Sequence, residues 1–133
     1  MTHSLKIASA QINPCVGDIS GNMAKAVTAF ERARDGGADI LVLPELVNIG
    51  YPPEDLVLKP AAVEDCRKAA IEFAGMTKDG PAIVFSTPWL GEDAELYSAV
   101  LFIRGGEITD IRYKHHLPNY GVFDEARVFT RGP

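Results

Sequence analysis

The chain has 133 residues, 47% of them hydrophobic and 23% charged, which are the proportions of one ordinary folded domain rather than a disordered or fibrous protein. Eighteen acidic residues against thirteen basic ones leave a formal charge of −5, which argues against a nucleic-acid partner because phosphate recognition calls for a basic face. No stretch approaches the ~18 apolar residues of a membrane span, and MTHSLKIASAQINP lacks the charged and apolar regions of a signal peptide.

Residues 5–12 (LKIASAQI) read as a strand, followed by a turn in NPCVGDISGN. Met23, Ala26, Val27, Phe30 and Ala33 then recur at helical spacing, with Ser20 or Asn22 placed to cap that helix and Gly36-Gly37 to end it. Residues 40–43 form a short continuous apolar run, the pattern of a strand buried on both faces. Strand, helix and strand of these lengths make a right-handed unit with parallel strands. A second helix is predicted over residues 61–77, with Val63, Cys66, Ala70, Phe73 and Ala74 on its apolar side, and a third buried strand over residues 82–86. Residues 96–104 and 107–113 flank Gly105-Gly106, a two-residue hairpin signal. Three buried strands and one hairpin would leave apolar faces and strand edges uncovered, so the chain is expected to be part of a larger α/β domain.

Glu45 stands in LVLPEL, directly after a predicted strand. Ligands of open α/β sheets bind beyond the carboxyl ends of strands, and a carboxylate partly withdrawn from water there suits general-base work. A capping or ion-paired carboxylate would occupy the same position. Lys114 follows the hairpin in IRYKHHLPNYG, where an ammonium can stabilise a developing oxyanion; a solvated lysine is the alternative. His115 and His116 are adjacent, so in a strand they would point to opposite faces, and they lack metal-ligand spacing. Cys15 lies in a turn of Asn13, Pro14, Gly17 and Asp18, and Cys66 lies on an apolar helix face. Neither has the surroundings of an activated thiolate, and two cysteines are too few for a disulfide framework, so reduced thiols in the cytoplasm are expected. No glycine pattern forms a phosphate loop.

The segments AQINPCVGDISGN, LVLPELVNIGYPPEDLVLKP and KHHLPNYGVFDEARVF resemble the amino-terminal glutaminase domains of glutamine-dependent NAD synthetases, within the nitrilase or carbon–nitrogen hydrolase superfamily. The likeness runs in order from about residue 5 to the last residues. It implies roughly the first half of an α-β-β-α sandwich with a Glu-Lys-Cys triad. In that pattern Glu45 is the general base, Lys114 stabilises the tetrahedral intermediate and Tyr120 contacts L-glutamine. Tyr51, in GYPPED, lines the pocket, and Glu125, in FDE, holds Lys114 in place. The family's nucleophilic cysteine lies in a later Cys-Glu-Asp block that this sequence does not contain, and neither Cys15 nor Cys66 matches it. The chain by itself is therefore expected to be inactive. ATP and magnesium are expected only in a synthetase domain absent from this sequence, with no cofactor in residues 1–133. A homo-oligomer is expected for the intact protein. A stand-alone amidase acting on another small amide, or a non-catalytic binding module, are the alternatives.

Overall fold

Five strands form one mixed sheet in the computed structural model, which describes residues 2–133. β1 (Ile7–Ser9), β2 (Ile40–Val42) and β3 (Ala82–Leu90) run parallel, and β4 (Leu96–Arg104) and β5 (Glu107–Tyr113) extend the sheet antiparallel in the order 1-2-3-4-5. α1 (Ile19–Asp35) joins β1 to β2, and α2 (Pro60–Met76) joins β2 to β3. The α/β class and the parallel pairing are those expected from the sequence.

Both helices lie on one sheet face. Phe30 of α1 and Phe73 of α2 meet edge-on at 6.3 Å, and Phe73 rests on Phe85 of β3 at 5.4 Å. Around them Leu41, Ile83, Leu101 and Ile103 are buried, so apolar area leaving water is the main term holding helices to sheet. The opposite face is less covered: Ile7 is 57% and Val100 38% exposed. Residues 40–43 are therefore not buried on both sides as their apolar run suggested. Leu41 and Leu43 face the helices, while Ile40 and Val42 are only half-buried.

Several boundaries differ for local reasons. β1 is only three residues long, although Ala10 still donates to Val42 O at 2.9 Å. α1 starts earlier than its apolar spacing suggests because Asp18, rather than Ser20 or Asn22, is the cap; its carboxylate accepts from Gly21 N at 3.0 Å. Asn22 is instead buried, accepting from Cys15 N and donating to Cys15 O and Asn48 O. β3 runs past Ser86 through Pro88 to Leu90, paired throughout with β4. The hairpin matches its prediction, with Gly105 and Gly106 both in the left-handed region that a two-residue turn of this hand demands. Among the described residues no helix is long and apolar enough to cross a membrane.

Candidate active site

Beyond β2 the chain turns away from the sheet through Pro44 and Glu45. Leu46 follows at φ 48°, a region where a side chain costs about 1–2 kcal/mol. Two contacts hold it there: its N–H donates to Ser86 Oγ of β3 at 2.8 Å, and its side chain is fully buried against Ile49, Val57, Cys66 and Phe129. This strained turn places Glu45 beyond the carboxyl end of the strand.

Lys114 reaches the same place from the far edge, as the residue after β5. Its N–H donates to Ser98 O at 2.9 Å and its carbonyl accepts from Gly132 N at 2.9 Å. The close approach needs a glycine, because a Cβ at Gly132 would stand 2.6 Å from Tyr113 O. Nζ of Lys114 donates to Glu45 Oε1 at 2.6 Å and to the two Glu125 oxygens at 2.9 and 3.2 Å. Glu125 opens a short 3-10 turn, Glu125–Arg127, whose first N–H donates to Pro118 O. Tyr51 completes the cluster, its hydroxyl donating to Glu125 Oε2 at 2.6 Å.

Glu45, Lys114, Glu125 and Tyr51 are thus brought together. Tyr120 lies at the rim: it is 71% exposed, with its ring edge-on to Phe123 at 5.5 Å. Phe123 in turn lies 6.3 Å from the Tyr51 ring. Of the two carboxylates Glu125 is the more deeply buried, its side chain 5% exposed against 44% for Glu45. The segment of residues 118–130 folds back on itself around Glu125, with Glu125 N–H donating to Pro118 O and Phe129 N–H to Glu125 O.

Burial alone would lower the Lys114 ammonium, but the hydrogen bonds and charges of Glu45 and Glu125 outweigh it and hold the group above its ordinary range. It stays a cation, as oxyanion stabilisation requires. Burial, and then the bond to Glu125, keep the Tyr51 hydroxyl protonated far above the usual tyrosine range.

Among the described residues neither thiol hydrogen-bonds to this cluster. Cys66 belongs to the apolar cluster beneath Leu46, where burial and then the nearby Asp65 charge push its thiol up to about 12. Cys15 is exposed in the turn before α1, where the sequence put it. The histidines differ from expectation. They lie beyond the end of β5, so strand alternation does not separate them, and their rings touch edge-on at 4.7 Å. Among the described residues no group of three or more His, Cys, Asp or Glu side chains is arranged to hold a metal.

Two contributors were missed from the sequence. Phe123 lies beside both tyrosine rings, and Arg127 bridges Asp124 at 2.8 Å and Asp55. The Asp124–Arg127 spacing is a weak local signal for an ion pair; the partner at Asp55 has none, being brought in by the fold.

The carbon–nitrogen hydrolase family model matches residues 6–133. The chain is 41% identical over 133 residues to the glutamine-dependent NAD(+) synthetase of Rhodobacter capsulatus, covering 100% of this chain and 24% of that one. Among solved structures it resembles the glutamine-dependent NAD+ synthetase of Acinetobacter baumannii, with TM-score 0.90 and 36% identity over 97% of this chain and 24% of that one. It also resembles a nitrilase-superfamily amidase of Nesterenkonia, with TM-score 0.80 and 26% identity over 97% of this chain and 48% of that one. The chain therefore spans about a quarter of the length of the synthetases it matches.

Proposed function

Because the chain belongs to the carbon–nitrogen hydrolase family, we propose that it supplies the Glu–Lys part of a glutaminase site in a glutamine-dependent NAD synthetase. The observation that carries this reading is Lys114 held between Glu45 and Glu125, in a chain whose full length matches such a synthetase.

In the proposed reaction a cysteine thiol from outside residues 1–133 attacks the side-chain amide carbon of L-glutamine. Glu45 takes the thiol proton and later delivers it to the departing nitrogen, a role in keeping with a carboxylate placed beyond the carboxyl end of a sheet strand. Lys114, permanently charged, faces the oxygen on which negative charge develops. Ammonia leaves, and water hydrolyses the thioester to glutamate. Tyr120 is assigned to the glutamine itself, a rim position that suits a residue closing over a bound ligand. Glu125 is the buried anchor of the ammonium. The ammonia serves ATP-dependent conversion of deamido-NAD to NAD. ATP and magnesium enter only at that step, and no residue of this chain is assigned to them. The intact protein is proposed to be a cytoplasmic homo-oligomer.

The test uses the full-length protein. Glu45→Ala or Lys114→Ala is expected to abolish glutamine-supported NAD synthesis while ammonia-supported synthesis survives. Equal loss of both would overturn the assignment. An amidase acting on another small amide is the second reading, favoured by the fold shared with the Nesterenkonia enzyme. Hydrolysis of such amides with no synthetase activity would select it.

A further inference from the structure

Tyr51 stands in the GYPPED segment, and its hydroxyl proton is committed. The hydroxyl donates to Glu125 Oε2 at 2.6 Å, and a phenol has one proton to give. Glu125 is 4% exposed; a carboxylate withdrawn that far from water keeps its charge only if its oxygens are satisfied. Lys114 serves Oε1 at 2.9 Å and reaches Oε2 at 3.2 Å, so the shorter bond to Oε2 is the one from Tyr51.

We propose that Tyr51 is a positioning residue: its hydroxyl turns the Glu125 carboxylate so that one oxygen faces Lys114, which leaves the ammonium within reach of Glu45 and of the reacting carbonyl. This rests on the glutaminase reading above and deepens it, since Tyr51 then acts through Glu125 rather than by contact with the substrate. The surroundings are built for that task. The Tyr51 ring packs beside Phe123 and against the buried cluster of Leu46, Ile49 and Phe129. Arg127 ties Asp55, on the loop that carries Tyr51, to Asp124, the neighbour of Glu125. The two loops are thus joined by an ion bridge outside and by the Tyr51–Glu125 bond inside. Without the hydroxyl, both Glu125 oxygens compete for one ammonium and draw it from Glu45.

The test is steady-state glutamine hydrolysis by the full-length protein carrying Tyr51→Phe, which keeps the ring and removes the donor. kcat is expected to fall about tenfold, as for one hydrogen bond to a charged group, with KM within about twofold. In a Glu125→Gln background the same substitution is expected to change kcat by less than about twofold, because the path is already broken. A tenfold rise in KM with kcat retained, or an undiminished tenfold loss in the Glu125→Gln background, would overturn the proposal. Urea midpoints of the two single variants and the double variant give a readout independent of turnover. Non-additive shifts are expected, and additive shifts overturn the pairing. If the wild type hydrolyses no glutamine, the glutaminase reading fails and the urea cycle alone decides the role of Tyr51.

Discussion

Glu45 and Glu125 grip one ammonium from unequal surroundings, the first side chain 44% exposed and the second 5%. Water screens the first pairing far more than the second. Glu45→Gln is expected to cost less than about 1 kcal/mol of stability. Lys114→Met leaves Glu125 buried with Tyr51 as its remaining side-chain partner, and is expected to cost about 3 kcal/mol. Urea unfolding of the two variants measures the contrast; equal losses would contradict it.

The Lys114 ammonium is held above its ordinary range in the folded protein, so folding favours its protonated form. Its contribution to stability is fully present below the unfolded lysine value of about 10.4 and declines as pH rises through the higher folded value. On the alkaline side the stability difference between wild type and Lys114→Met should hold to about pH 9 and shrink only above about pH 10.5. A difference that is already shrinking between about pH 8 and about pH 9 as pH rises would contradict this assignment.

Cys15 is exposed, whereas Cys66 is fully buried with its thiol pushed up to about 12. A thiol reagent applied to the native chain at about pH 8 is expected to modify Cys15 quickly and Cys66 only after denaturation, since the thiolate is the reactive form. Mass spectrometry of the labelled peptides distinguishes them, and fast native labelling of Cys66 would count against the burial described.

Gly50 has φ +89°, and a Cβ there would stand 2.8 Å from Val16 Cα, with Cys15 C at 3.2 Å. These are backbone atoms that cannot swing aside, so Gly50→Ala is expected to lose about 2–4 kcal/mol and to disturb the loop that carries Tyr51. Gly37, at φ +73° with nothing within 4 Å, isolates the conformational part; Gly37→Ala should lose only about 1 kcal/mol. Thermal melting of the two variants tests the difference.

The parts of the fold written in local pattern were legible. Gly105-Gly106 between two β-type runs specified the hairpin, and apolar spacing located both helices to within a few residues. Asp18 was overlooked as a cap because Ser20 and Asn22 lie nearer the first periodic apolar residue, yet the buried hydrogen bonds of Asn22 draw it into the core. Position and residue type alone made Glu45 and Lys114 candidates, whereas Tyr51, Tyr120 and Glu125 were legible only through the resemblance to a family. The Glu45–Lys114 pair spans 69 positions and the Tyr51–Glu125 pair 74, separations that no periodicity encodes. Which carboxylate is buried depends on how residues 118–130 fold over the sheet edge, a tertiary outcome absent from the spacing.

The backbone of Lys114 is pinned on both sides, by Ser98 O and by Gly132 N, and its side chain is stretched between two acids. A free lysine side chain carries about 2 kcal/mol of rotamer entropy at room temperature. In this fold that disorder is surrendered when the chain folds, long before any ligand arrives. In the proposed reaction an ammonium already stilled would have little motional freedom left to lose as negative charge grew beside it, so its part of the activation barrier would be largely free of an entropic penalty.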